Sequence, residues 1–288
     1  MSGAVGPADF GMMGSLIANA SSVKQRLDTL TSQASSGLIG DTYAGLGTGA
    51  AVSLDLRPQM ASLQTWQNNV DAANGRMGVT QSAMTQIQSI ASSFYAQLNT
   101  VDGIDAGAVD AIAASARDAL GQVADLLDTQ DGGVYVFGGQ DTANPPVPNP
   151  GDILNSGFYG QISTAVAGLA GSTAAATAQA TYDVATSNVV GTSPFSVNMS
   201  QPSNLLRAQL PSVQVGPNDT RNIGLLASAN ALIQDSSLLG TPAIAGGPVP
   251  STGSYMRDVL RALATIGSLS SSQVNVAGFQ LARARTIP

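Results

Sequence analysis

The sequence has no cysteine, no histidine and no glutamate, so its 18 acidic residues are all aspartate. Lys24 is the only lysine among 11 basic residues. Each absence removes a mechanism. Without cysteine no disulfide can form, and oxidising surroundings are neither needed nor exploited. Without histidine and cysteine, a zinc site would have to be built from carboxylates alone, and nucleophiles activated by an imidazole are excluded. Charged residues make up only 10% of the 288 positions, and the net charge is −7. Nucleic-acid binding needs clustered cations, whereas here only Arg283 and Arg285 form a close pair. No run of 18 apolar residues is present, so no membrane-spanning helix is expected. Met1 to Phe10 lacks a basic stretch followed by an apolar core, so export would use a route other than a cleaved Sec-type signal. The sparse charge has two readings: surfaces that neighbours cover, or an acidic, lysine-poor host proteome.

What the sequence does hold is a strict apolar spacing. Leu16, Ala20, Val23, Leu27, Leu30 and Ala34 follow steps of 4, 3, 4, 3 and 4. The pattern restarts at Leu63 and continues through Trp66, Val70, Ala73, Met77, Thr80, Met84, Ile87, Ala91, Phe94 and Leu98. Thr80 alone breaks the apolar run. A seam repeating every ~3.5 residues lets one helix lie along another for several turns. The first seam predicts a helix over about residues 12–35, assigned as an assembly interface. The second predicts a helix from Leu63 to Leu98, ~54 Å long at ~1.5 Å per residue. Its seam forms a rod core. One seam cannot hold a helix of that length, so it needs partners on more than one side.

The remaining organisation follows from breakers. Gly37, Gly40, Gly45 and Gly47 interrupt the helices, and Pro58 suits the first turn of the next one. Val109, Ile112, Ala116, Ala119, Val123 and Leu126 predict a third helix over 105–128, with Asp105 near its start. Asp131-Gly132-Gly133 ends it, and Val134 to Phe137 reads as a short strand before Gly138-Gly139. Four prolines between Asn144 and Pro150 mark a boundary. Beyond it, 158–186 reads as helical, while 195–199 and 210–215 read as strands. A turn over 216–219 precedes the extended stretch Asn222 to Leu226. Residues 239–250 form a linker. Ser254 then caps a helix whose apolar face is Met256, Val259, Leu260, Leu263 and Ile266, with Arg257 and Arg261 on its other face.

Several of these segments resemble a known family. Ser35-Ser36-Gly37-Leu38 closes a Leu-periodic helix. Asp41 through Ala44-Gly45-Leu46 follows, and then Gln67-Asn68-Asn69-Val70-Asp71, with Gln81 further on. This resembles the N-terminal region of bacterial flagellins. Asp131 through Gly139, continuing to Pro145-Pro146, resembles a hairpin of the hook–filament junction protein, the hook-associated protein 3 type. The resemblance spans roughly residues 10–146, with weaker similarity at 210–275. It implies a mainly α, elongated rod of long antiparallel helices with a β-hairpin and a smaller α+β insert. Residues 1–57 would be the inner-layer helix and spoke, 58–146 the helical rod with its hairpin, 147–250 a variable insert, and 251–288 a returning rod helix. Family members continue into a second inner-layer helix, while this sequence stops at Pro288. The expectation is that Leu16 to Ala34 is loose in a monomer or covered by another copy. The implied partners are hook-associated proteins, flagellin, the chain itself and an export chaperone. The implied setting is secretion through the flagellar type III apparatus, without cofactor, nucleic acid or membrane insertion.

Sharper readings of single motifs fare worse. Gly45 to Ala51 looks like a phosphate-cradling loop, but Leu38 to Tyr43 is a poor strand to precede one. Asp102, Asp105 and Asp110 lack the spacing of a calcium loop. Met77 and Met84 fit the rod seam better than an adaptable binding surface, and Trp66 fits either an interface or the core. No carboxylate pair stands out for acid–base chemistry. The expected function is therefore structural rather than enzymatic. The alternative, of another class, is a flagellin-like cell-surface protein that binds a ligand such as a glycan through residues 147–250.

Overall fold

The computed structural model describes residues 7–37, 49–100, 106–229 and 251–272. The protein is mainly helical, with two small two-stranded antiparallel sheets. It divides into two units, Met1–Thr65 and Trp66–Pro288, and the division falls inside one long helix.

In the first unit, helix α1 spans Pro7–Ser36. Proline suits a first helical position because the N–H it lacks would have no partner there. At the other end Gly37 turns left-handed, with φ 69°, and its N–H donates to the Gln33 carbonyl at 2.8 Å. A left-handed glycine of this kind is a common helix stop, and it is the glycine of the Ser35–Leu38 motif. Residues 38–48 lie outside the described set, and with them most of the expected spoke and phosphate-like loop. Helix α2 spans Gly49–Thr100 and runs through Pro58. The sequence predicted a start near Pro58, so the helix is longer than expected. Proline inside a helix removes one N–H and crowds the carbonyl four residues back. That carbonyl belongs to Leu54, whose surroundings are exposed enough for water to serve it.

The second unit holds the core. From Trp66 onward α2 buries Ala73, Thr80, Ala83, Ile87 and Phe94. Thr80, the polar member of the seam, donates its hydroxyl to the Arg76 carbonyl at 2.9 Å, so its burial leaves no orphan. Helix α3 (Ala106–Leu127) buries Val109, Ile112, Ala116, Ala119 and Val123, five of its six seam residues. Asp105 lies outside the described residues. Strands β1 (Gln130–Asp131) and β2 (Val134–Tyr135) pair across Gly132 and Gly133, both left-handed at φ 59° and 83°. Two successive left-handed residues match the twist of a tight hairpin. The strand is thus shorter than the Val134–Phe137 run suggested, because Val136 and Phe137 turn inward and are fully buried.

After a 3₁₀ segment at Pro150–Asn155, helices α4 (Gly157–Ala167) and α5 (Ala174–Thr186) follow. Ser156 and Thr173 accept from the backbone N–H groups of Tyr159 and Ala176, capping the two helices. The expected strand at 195–199 is absent, since Phe195 and Met199 are drawn into the core from a turn. The short helix α6 (Ser203–Leu206) leads to β3 (Ser212–Gln214), which pairs with β4 (Thr220–Asn222) around the expected turn. Helix α7 (Tyr255–Gly267) packs along α3. Ser254 stands at its N-cap, yet its hydroxyl makes no capping bond. Asp258 instead reaches back to the Thr252 N–H at 3.0 Å. At the far end Arg117 and Tyr159 both donate to the Gly267 carbonyl, at 2.6 and 2.8 Å. These donors satisfy a group the helix itself cannot, and the cation sits at the negative end of the dipole. One buried cluster joins α2, α3 and α7 with Val147, Ile153, Phe158, Phe195 and Met199. The segment read as an insert therefore shares its core with the helices around it.

Candidate functional site

Two apolar surfaces meet opposite fates. On α1 the side chains of Ile17, Val23, Leu27 and Leu30 are 62–68% exposed. Ala20 and Ala34 are exposed too, and the Leu16 side chain lies outside the described residues. Spacings of three and four residues place these side chains on one helix face. The hydroxyls of Thr29 and Thr31 donate to carbonyls four residues back, at 2.8 and 2.7 Å. Those bonds satisfy both hydroxyls within the helix. The opening of α2 repeats the theme: Val52, Leu54, Leu56, Met60 and Leu63 are 49–67% exposed. Scattered exposed leucines need no explanation, but a continuous apolar face on a helix does.

The second seam is mostly covered. Ile87 and Phe94 are buried, Met84 and Leu98 pack half-buried against the core, and Trp66 and Val70 are half-buried. Leu63 and Met77 stand out at 60% and 39% exposed. The inward stripe runs 73, 76, 80, 83 and 87, not 73, 77, 80, 84 and 87. Both stripes cover 14 residues in four steps and differ only in whether 76 and 83 or 77 and 84 turn inward. Arg76 takes the inward place instead of Met77. Its guanidinium donates through Nη2 to the carbonyls of Tyr135 and Val136, at 3.1 and 3.4 Å, tying α2 to the hairpin. Burial lowers its pKa, with Asp131 acting the other way.

Three further charged groups were not legible as buried or half-buried. Arg257 and Arg261, expected on the face of α7 away from its apolar stripe, are 7% and 2% exposed. Arg257 donates to the carbonyls of Ser228 (2.6 Å) and Ala185 (2.7 Å) and to Asn188 Oδ1 (3.4 Å), and it lies 5.3 Å over the Phe195 ring. Burial pulls its pKa down to about 10 despite Asp258. Arg261 sits 5.9 Å from the Tyr182 ring. The third group is Asp128. Burial raises its pKa to about 6, with help from Asp125, although its carboxylate accepts the Val147 N–H at 2.9 Å. Each of these groups joins segments distant in sequence, which is why local spacing could not reveal it. The one available signal was that α7 already had an apolar stripe wide enough to be enclosed.

Chemistry is sparse. Among the described residues no group of three Asp, Glu, His or Cys side chains could hold a metal. Asp110, one of the three aspartates weighed for calcium, instead accepts the Ser271 N–H at 2.7 Å. Among the described residues no helix is long and apolar enough to cross a membrane. Long helices, an uncovered apolar face on α1 and a packed core in the second unit are what the described residues present. Residues 11–142 match the family model of the bacterial flagellin N-terminal helical region. That stretch takes in most of α1, all of α2 and α3, and the first hairpin, just under half of the chain. No curated protein and no solved structure matches the chain.

Proposed function

We propose that the chain is a structural component of the bacterial flagellum, exported by the flagellar type III apparatus and placed at the hook–filament junction or in the filament. The observation that carries this reading is the exposed face of Val23, Leu27 and Leu30, lying inside the stretch that matches the flagellin N-terminal helical region. In this account Leu16, Ala20, Val23, Leu27, Leu30 and Ala34 pack against other flagellar subunits: hook-associated proteins, flagellin or a second copy. The mechanism is burial, in which each leucine or valine enclosed contributes ~1.5–3 kcal/mol. Residues 1–57 act as the inner-layer helix and spoke, and 58–146 as the helical rod. Residues 147–250 are the insert, and 251–288 the returning helix. The hairpin resemblance of Asp131 through Gly139 favours the junction over the filament. Immunogold labelling of an epitope-tagged chain on intact flagella tests the assignment. Label confined to the base of the filament supports the junction, and label along its length supports a filament subunit. Label absent from flagella contradicts both.

A further inference from the structure

The hairpin does more than end α3. Gly138 and Gly139 follow it, and Gly139 is left-handed at φ 67°. A Cβ on Gly139 would strike the Gln209 carbonyl oxygen and Leu226, and one on Gly138 would strike the Asp141 carbonyl oxygen. Gly138 lets the 138–141 turn close on itself, and Gly139 lets it lie directly against Gln209. Across the gap, the Ser196 N–H donates to the Pro146 carbonyl at 2.8 Å and ties down the opposite wall. Between the walls lies an open cleft of about 660 Å³, inside the ~300–1,000 Å³ range of small-molecule sites.

The lining is unusual for this chain. Five amide side chains converge there, from Gln140, Asn144, Asn198, Gln201 and Gln209, with Asp141 as the only charge. Three amide nitrogens each commit one of their two N–H groups. Gln140 donates to the Ala208 carbonyl, Asn144 to Asp141, and Gln201 to Asn198, at 2.8, 2.8 and 2.9 Å. Among the described residues no bond engages the amide oxygens of Gln140, Asn144 and Gln201, the Asn198 nitrogen or the Gln209 amide. The cleft thus offers both acceptors and donors, with Gln140, Asn144 and Gln201 held in place by their own neighbours. Pro145, Pro148 and Val197 supply apolar surface beside them.

That combination selects a ligand class. No cation lines the cleft and one carboxylate does, so phosphates and acidic sugars are disfavoured. A wholly apolar ligand would leave the amides unpaired. A ring bearing many hydroxyls, each both donor and acceptor, with apolar C–H faces between them, satisfies both kinds of surface. We propose that the cleft between residues 138–148 and 196–209 binds a neutral carbohydrate. The proposal goes beyond the assembly role and does not depend on it.

Saturation-transfer NMR on the full chain tests it, with millimolar methyl glucoside, methyl galactoside, methyl mannoside, N-acetylglucosamine and maltose as probes. Transfer to at least one sugar is expected. Gln209→Leu should weaken it about tenfold, the effect of one lost ligand hydrogen bond. Val197→Trp, at the exposed wall, should abolish it by filling the cleft. Unchanged thermal melts of both variants establish that they are folded, and a variant that melts early is replaced by Asn144→Leu. Stronger transfer to maltose than to the monosaccharides marks an extended chain as the ligand; the reverse marks a single sugar unit. Silence from all five probes overturns the proposal, as does equal transfer in parent and variants. A response to calcium chloride alone, quenched by Asp141→Asn, overturns it in favour of a cation.

Discussion

Replacing Arg257 by methionine tests how the second unit is held together. The side chain is 7% exposed, and two of its hydrogen bonds, to Ser228 and Ala185, are as short as 2.6 and 2.7 Å. Hydrogen bonds from a charged donor contribute ~1.5–3 kcal/mol each, and the placement over Phe195 adds ~1 kcal/mol. The gross gain is ~4–7 kcal/mol. Against it stands the cost of burying the cation. Burial draws its pKa down to about 10, and at ~1.4 kcal/mol per pH unit that lowering corresponds to about 3 kcal/mol. The net loss in Arg257→Met is therefore ~1–4 kcal/mol, with two carbonyls left without donors. For a unit of this size, 1 kcal/mol moves Tm by ~2–4 °C, so a fall of ~2–16 °C is expected in circular-dichroism melts. Arg257→Lys keeps the charge but not the fork, and should fall between the parent and methionine. A methionine variant as stable as the parent would refute the reasoning. It would mean that desolvation outweighs the hydrogen bonds, as it does for some buried ion pairs.

Three other expectations follow from the same structure. Ile87→Ala, at a fully buried site, should cost ~2–5 kcal/mol, while Leu63→Ala, 60% exposed, should stay within ~0.5 kcal/mol in the monomer; urea unfolding at low concentration separates them. Gly139→Ala should destabilise through its left-handed φ and the Gln209 carbonyl, whereas Gly78→Ala, which meets nothing within 4 Å on α2, should stabilise by ~1 kcal/mol. Asp128 has a folded-state pKa raised from 3.8 to about 6, so the native state binds the extra proton in that window. Its contribution is full at pH 3.8 and below and is lost as pH rises through 6. Compared with the parent, Asp128→Asn should gain ~1 kcal/mol at pH 7, the shift being discounted for a half-exposed group. The two should converge near pH 4, as pH-dependent melts will register.

The sequence made the helices legible because period-3.6 burial is a local pattern. The third seam, Val109 to Val123, is buried as a face, and the apolar stripe of α7 is buried as read. Boundaries were less visible where a breaker was overruled. Pro58 lies inside α2 because the cost of one lost hydrogen bond is spread over a 52-residue helix. Phe195 to Met199 alternates like a strand, yet two of its apolar residues simply reach the core from a turn. The candidate site divides the same way. The α1 face was readable from spacing alone. The amide cleft was not, because its walls lie some sixty residues apart in sequence and are joined by tertiary contacts, Gly139 against Gln209, Gln140 to Ala208 and Ser196 to Pro146.

The central claim is that the face of Val23, Leu27 and Leu30 serves other subunits and not the fold of its own chain. Leu27→Asp puts a charge in the middle of that face, on a side chain already 62% exposed. Its effect on the monomer should be within ~0.5 kcal/mol, the usual range for a surface change. Its effect on assembly should be large, since a carboxylate would be buried unpaired. The decisive measurement is co-sedimentation of parent and variant with purified hooks or growing filaments, beside melts of the free chains. The account predicts equal melts and a pellet that loses the variant. A variant that pellets as fully as the parent would contradict it.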